Sequence, residues 1–163
     1  MFVEYKKPKS DHWINFGEEF RLRRNYLMYG VLAGVRREFD FSLTPKGRVQ
    51  DAARTTTVED TLRVCDEPQE GCERHEVNLE TAMSYSKYGC AVLYAHERPY
   101  AVQSPDNHTH SWLTPDEYKE ALKLYDENFG AEHPEPEYSA LHAAMESLQG
   151  ANLDCRVVFW FDN

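Results

Sequence analysis

The chain has 163 residues, a formal net charge of −10, 41% hydrophobic and 13% aromatic residues. This length is typical of one domain that buries roughly two thirds of the surface exposed by its unfolded chain. The apolar content is sufficient for a core and excludes a wholly disordered chain. We therefore predict a single domain over residues 1–163.

The sequence contains no apolar run near the roughly 20 residues that a membrane-spanning helix needs. Its first segment, "MFVEYKKPKSDHW", carries charges where a signal peptide would be apolar. We expect a cytoplasmic protein without a membrane partner. In that compartment its four cysteines would be reduced, so a disulfide framework is not expected.

Charge is distributed unevenly along the chain. Residues 1–54 contain 11 Lys/Arg and 7 Asp/Glu, a net +4, whereas residues 55–163 contain 7 and 21, a net −14. The acidic part should repel nucleic acid, so direct nucleic-acid binding is not expected, and it would suit a basic protein partner. The basic part could hold an anion site. The simpler alternative is that the charge provides solubility.

The first predicted elements lie within residues 18–37. "EEFRLRRNY" alternates apolar and basic side chains, which favours a short strand. "YLMYGVLAGVRREF" has apolar residues at helical spacing and predicts a helix over 26–37 with Arg36 and Arg37 in its last turn. Gly30 and Gly34 would each disfavour the helix by about 1 kcal/mol relative to Ala, so we expect them to admit a closely packed neighbour.

Five further elements follow in the acidic part. Asn78 is placed to cap "LETAMSYSKYG", with Gly89 as its stop, and "CAVLYA" is typical of a buried strand. Thr114, Pro115 and Glu117 have the spacing of a capping box, which predicts a helix over 115–128. Another helix is predicted over 136–149, ended by Gly150, and "CRVVFWFDN" is rich in strand formers. These elements indicate the α+β class: a small, mostly antiparallel sheet packed with three to four helices.

Two histidines precede the capping box in "NHTHSWLTPDEY". If the backbone is extended, His108 and His110 point to one face and could ligate a metal, but no third ligand stands at a recognisable spacing. The alternative is that His108 is solvated, His110 bonds backbone at the helix start, and Trp112 packs into the core. We favour this alternative.

A second possible metal site lies in the polar loop at 66–76. Cys65, Cys72 and His75 could supply three zinc ligands, with Cys90 or His96 as a fourth. Their spacing is loose, and free thiols are the alternative. We therefore assign no cofactor, and keep zinc as a lesser hypothesis.

No nucleophile elbow, Walker loop, dinucleotide-binding glycine motif or zinc-protease motif is present in the sequence. Catalysis therefore has little positive support, and we assign no catalytic residue. An enzyme, with or without a metal, ranks third among our hypotheses of function.

Basic residues form the best candidate site, a cluster of Arg21, Arg23, Arg24, Arg36, Arg37, Lys46, Arg48 and Arg54. Arginine binds phosphate oxygens bidentately, a glycine lets backbone N–H groups approach an anion, and aromatic rings can stack on a base. The alternative is that each arginine pairs with a surplus surface carboxylate. The predicted ligand-binding residues are Arg21, Arg23, Arg24, Tyr26, Arg36, Lys46, Gly47, Arg48, Arg54, His110 and Trp112.

Three parts of the sequence resemble small, mostly uncharacterised accessory proteins of tailed bacteriophages. They are "RRNYLMYGVLAGVR" with "PKGRVQD", then "HTHSWLTPDEY", then the terminal "RVVFWFDN". The resemblance touches about a third of the chain. It implies a phage protein expressed in the cytoplasm of a bacterial host, and by association a role against host defence.

Two functions remain open. In the first, the chain binds and sequesters a nucleotide-like phosphorylated host signal without catalysis, in a pocket that could lie between subunits of a homo-oligomer. In the second, it is an acidic inhibitor that occupies the nucleic-acid groove of a host defence protein. The acidic residues proposed for that role are Asp116, Glu117, Glu120, Asp126, Glu127, Glu137 and Glu146. We favour the first.

Overall fold

The computed structural model describes residues 1–68, 75–130 and 134–162. These form two compact units. Unit 1 comprises Met1–Arg54 and Thr109–Phe161, and unit 2 comprises Thr55–His108 with Asp162. The prediction of a single domain stays a prediction.

The described residues form five helices and eight strands. The helices are α1 (Tyr26–Ala33), α2 (Arg54–Glu59), α3 (Leu79–Lys87), α4 (Pro115–Phe129) and α5 (Pro136–Gly150). The strands are β1 (Phe2–Lys6), β2 (Ile14–Asn15), β3 (Thr61–Val64), β4 (Glu76–Val77), β5 (Val92–Ala95), β6 (Arg98–Gln103), β7 (His108–Leu113) and β8 (Asp154–Phe161). The α+β prediction is confirmed, although the strands form two small sheets rather than one.

Unit 1 contains a four-stranded sheet in the order β2-β1-β8-β7. Strand β1 pairs antiparallel with β8, and Phe2 lies opposite Val158. Helices α4 and α5 pack on this sheet and on each other, while α1 packs on α4. Tyr118, Tyr125 and Tyr138 are nearly inaccessible to solvent within the resulting core. Burial of such large side chains is the main favourable contribution to folding.

A buried polar network holds the segment before α2 against this sheet. The Arg156 guanidinium donates to a Glu4 carboxylate oxygen at 2.8 Å and pairs with Asp51 at 3.0 Å. The other Glu4 oxygen accepts from the Ala53 amide at 2.8 Å. The Trp13 ring lies 3.9 Å from the Arg156 guanidinium carbon, and its indole N–H donates to Asp51. The charges are therefore satisfied, as buried ions require.

Unit 2 contains the second sheet, in the order β4-β3-β6-β5, with α3 against β6 and β5. Strands β3 and β6 pair antiparallel, as do β5 and β6, whereas β3 and β4 are parallel. The apolar core here is small and consists of Leu62, Val77, Ala82 and Val102. Strand β5 is half-buried to exposed, so the prediction that "CAVLYA" is a buried strand is wrong.

Two predictions near the basic segment are also wrong. Residues 18–25 form no strand. Helix α1 ends at Ala33, because Gly34 adopts a left-handed conformation with φ of 67° and caps it, so Arg36 and Arg37 lie beyond the helix. Gly30 does admit a close neighbour: a Cβ there would lie 2.5 Å from Phe39 Cε2 and 2.6 Å from the Arg37 carbonyl oxygen.

Candidate functional site

A cavity of about 780 Å³ opens in unit 1 where the start of α1 meets the end of α4 and the start of α5. Its volume is within the range of small-molecule sites, about 300–1,000 Å³. The lining combines basic, amide and aromatic side chains. It consists of Arg24, Asn25, Tyr26, Leu27, Arg37, Tyr125, Asn128, Phe129, Gly130 and Glu135.

Asn25 fixes one wall of this cavity. Its side-chain oxygen accepts from the Met28 amide at 2.9 Å and so caps α1. Its side-chain nitrogen donates to the Tyr125 hydroxyl at 3.1 Å and to a Glu135 carboxylate oxygen at 3.0 Å. One amide group thus joins the starts of α1 and α5 to α4.

The cavity brings basic groups together in a protein that is acidic overall. Among the described residues of its lining are two exposed arginines, Arg24 and Arg37, and one carboxylate, Glu135. Arg37 makes no ion pair with any residue in the described part of the chain. The positive end of the α1 dipole lies beside them, and the first amides of a helix have no carbonyl partner within it. This combination favours an anionic group.

Aromatic rings flank the basic groups. Tyr26 is 49% exposed and meets the Tyr29 ring edge-on at 5.9 Å. Phe129 is half-buried and packs against Phe39 and Tyr125. Tyr26 therefore leaves much of its ring area available for a planar ligand, while Phe129 is held in place by its neighbours.

Of the residues that we predicted to bind a ligand, the cavity contains Arg24 and Tyr26. Arg21 and Arg23 are exposed and pair with Glu19 at 3.0 Å and Glu137 at 3.5 Å. The rest of the set lies outside the cavity lining: Arg36, Lys46, Gly47, Arg48, Arg54, His110 and Trp112. Arg36 and Arg54 are exposed, while Arg48 is half-buried.

Lys46 and Trp112 belong to a contact that anchors the loop at 45–48. The Lys46 ammonium lies 3.8 Å from the centre of the Trp112 ring and 2.6 Å from both Glu117 carboxylate oxygens. The Lys46 amide also donates to the Ser111 hydroxyl. Burial would raise the pKa of Glu117, but hydrogen bonds from Lys46 and Thr114 outweigh it and hold that pKa below its usual value. Trp112 is half-buried beneath Lys46, so its predicted place in the core is wrong.

The histidine pair sits in a distorted strand. His110 stacks on Trp160 with ring centres 5.7 Å apart. Between the histidines, Thr109 has φ of 51°, a left-handed value that β-branched residues rarely adopt and that interrupts strand alternation. Within the described ranges, no group of three or more His, Cys, Asp or Glu side chains could hold a metal ion.

The zinc hypothesis falls partly outside the described residues, because Cys72 is not among them. In the parallel pairing of β3 with β4, Arg63 lies opposite Glu76, so His75 lies beside Leu62, three positions from Cys65. That offset corresponds to about 10 Å along the strands, and positions three apart on a strand face opposite sides of the sheet, which disfavours two direct ligands of one ion. Burial and the neighbouring Glu76 raise the pKa of the Cys65 thiol.

Sequence reasoning missed most of the cavity. Asn25, Tyr125 and Glu135 meet across 100 and 110 positions, and no local pattern signals that contact. Arg37 belongs to the predicted basic cluster, but the sequence places it in the last turn of a helix, whereas it lies beyond α1. No helix in the described part of the chain has the length and apolar character of a membrane span. Comparison of the chain with protein-family models, curated proteins and solved structures gives no match.

Proposed function

We propose that the protein binds a nucleotide-like phosphorylated molecule in the unit 1 cavity and sequesters it without catalysis. The observation that carries this proposal is the placement of Arg24 and Arg37 around one cavity at the start of α1. Together with the resemblance to phage accessory proteins, it supports a role in the bacterial host cytoplasm, where removal of a signalling nucleotide would weaken defence against the phage.

The cavity offers a separate contact for each part of such a ligand. The guanidinium groups of Arg24 and Arg37 would bind phosphate oxygens, with the first amides of α1 beside them. The base would lie against Tyr26, which presents an exposed ring. Asn128 supplies a polar group for the base edge.

Binding fits this lining better than catalysis does. The carboxylate of Glu135 already accepts a hydrogen bond from Asn25, and the Tyr125 hydroxyl accepts another from the same amide. These groups are used to hold the cavity walls. The basic groups supply affinity for an anion but do not create a nucleophile.

Calorimetry tests the ligand class. Cyclic mononucleotides, cyclic dinucleotides and ADP-ribose derivatives would be titrated into the protein. A double variant, Arg24→Gln with Arg37→Gln, should bind at least about tenfold more weakly, because each arginine contributes charge-assisted hydrogen bonds. The matched control, Arg21→Gln with Arg36→Gln, removes two arginines outside the cavity and should bind normally.

Absence of heat with every nucleotide, or equal affinity in both double variants, would contradict this function.

A cellular experiment tests the same proposal. Expression of the wild-type chain in bacteria that rely on a nucleotide-signalled defence should restore phage plaque formation, and the cavity variant should not. Native mass spectrometry would report a retained ligand and any homo-oligomer in the same measurement.

The alternative function, an acidic inhibitor of a host defence protein, draws on the carboxylates of α4 and α5. Several are neutralised locally: Glu117 by Lys46, Glu137 by Arg23, and Glu146 by Lys119. Glu120 and Glu127 both pair with Lys123. Their field is therefore weaker than the sequence indicates. A salt-sensitive complex with a purified defence protein, lost in a variant with Asp116 and Asp126 changed to Asn, would favour this function.

A further inference from the structure

A second surface, on unit 2, has features of a protein-binding site. We propose that the open edge of β5 binds an extended, basic segment of a partner protein, which adds to the sheet as a fifth strand. This inference does not rest on ligand binding in the unit 1 cavity.

The first observation is that unit 2 exposes several large apolar side chains beside a small core. Its core has four buried residues, whereas six of the nine exposed large hydrophobic residues in the described chain belong to unit 2. Three of the six are tyrosines, which are common in the energetically important parts of interfaces. The six are Val58, Leu79, Met83, Tyr88, Tyr94 and Tyr100.

The second observation is the open backbone edge. Strand β5 is the outer strand of its sheet, and on its far side no described residue pairs with it. Alternate residues of such a strand direct N–H and C=O groups away from the sheet, where a peptide can pair with them. Val92–Ala95 contains no charged residue or proline to protect the edge, although its pairing with β6 is shifted by an irregularity between Leu93 and Tyr94.

The other sheet edges are less suitable. Strands β2 and β4 each have two residues. Strand β7 is longer, but Thr109 distorts it, and the loop at 45–48 is bonded to it through Ser111. Two exposed tyrosines also favour β5. Tyr94 lies within this strand, and Tyr100 lies in the neighbouring strand β6, next to Pro99, which pairs with Tyr94.

Charge indicates what kind of segment would bind. Residues 55–108 include ten acidic and four basic side chains, a net charge of 4 − 10 = −6. Five of these carboxylates make no ion pair with any described residue, in contrast to those of α4 and α5. They are Glu59, Glu67, Glu80, Glu97 and Asp106. A second copy of this chain, at −10, would be repelled, whereas a segment with alternating Arg or Lys and apolar residues is complementary.

A synthetic ten-residue peptide of alternating arginine and valine serves as the probe, and the same peptide with glutamate replacing arginine is its control. The basic peptide should bind in fluorescence anisotropy and weaken as salt rises. Amide chemical shifts should change at Val92–Ala95. Tyr94→Lys, which places a charge on the edge, should weaken binding about tenfold or more.

Phe16→Lys, which changes an exposed aromatic residue of unit 1, provides the matched control and should leave peptide affinity within about twofold of wild type. Three results would overturn the proposal. They are no binding up to about 1 mM peptide, equal loss in both lysine variants, or shift changes confined to other strands. Self-association that Tyr94→Lys abolishes would also overturn it, because a second copy would then occupy the edge.

Discussion

Glu4 and Arg156 form an ion pair of 2.8 Å across 152 positions of the sequence, and both side chains are buried. Removal of one member leaves the other charged and without its partner inside the protein. We therefore expect Arg156→Met to lower the free energy of unfolding by about 3–5 kcal/mol.

Urea denaturation followed by circular dichroism measures that change. Arg21→Met is the matched control, because Arg21 pairs with Glu19 on the surface, and it should cost less than about 1 kcal/mol. Similar losses in the two variants would show that the Arg156 network contributes no more than a surface contact.

Two buried tyrosines should respond oppositely to loss of their hydroxyl groups. The Tyr138 hydroxyl donates to the Arg23 carbonyl oxygen at 2.9 Å, whereas the Tyr118 hydroxyl is buried with no hydrogen-bond partner in the described part of the chain. Tyr138→Phe should cost about 1 kcal/mol of unfolding free energy, and Tyr118→Phe should be neutral or stabilising by up to about 1 kcal/mol. Chemical denaturation of both variants tests this, and a destabilised Tyr118→Phe protein would contradict it.

Two glycines should differ when changed to alanine. In Gly30→Ala the new methyl group would meet Phe39 and the Arg37 carbonyl oxygen, so we expect a loss of about 1–3 kcal/mol. Gly150 ends α5 with nothing within 4 Å of an added Cβ, and its alanine variant should gain about 0.5–1 kcal/mol. In thermal denaturation, the midpoint of Gly30→Ala should therefore lie below that of wild type, and the midpoint of Gly150→Ala should lie above it. Because the cavity adjoins α1, Gly30→Ala should also weaken any nucleotide binding.

The capping box of α4 should give a measurable pH dependence. Thr114 accepts from the Glu117 amide, and Glu117 accepts from the Thr114 amide and from Lys46. Because the folded-state pKa of Glu117 is lowered, its contribution is present above its usual value of 4.5 and is lost as pH falls through the folded-state value. Glu117→Gln should therefore reduce the loss of stability on acidification below about pH 4.5.

Unfolding free energies of wild type and Glu117→Gln at several pH values provide the measurement. Thr114→Ala should separately lower stability at neutral pH by about 0.5–2 kcal/mol, because it removes the cap. Parallel pH profiles for wild type and Glu117→Gln would contradict the assigned role of Glu117.

Elements with strong local signals were predicted well from the sequence. The α4 capping box, the Asn78 cap of α3 and the apolar stripe of α5 are all present. The errors arose where tertiary contacts decide the outcome. Basic residues at 21–24 alternate like a strand, yet no partner strand pairs with them among the described residues. A short apolar run such as "CAVLYA" has the same pattern at the centre and at the edge of a sheet.

The candidate site could be predicted only in part, for the same physical reason. An arginine-rich sequence indicates affinity for anions, and Arg24 does line the cavity. Which arginines converge depends on where α1 ends and on the packing of α1 against α4. Lys46 and Trp112 illustrate this limit of prediction from sequence. Both residue types are suited to a ligand, but in the fold Lys46 contacts the Trp112 ring and the Glu117 carboxylate instead.

The division of unit 1 into two stretches of sequence has a consequence for biosynthesis. Its strands β1 and β8 pair only after the ribosome has made both, whereas unit 2 is nearly continuous and has local pairings. We expect unit 2 to fold while the polypeptide is still being elongated. Residues 1–54 can complete unit 1 only after residues 109–161 have been synthesised. Closure over such a separation is slow, so the nascent β1 strand would be exposed to chaperones or proteases until β8 has been synthesised.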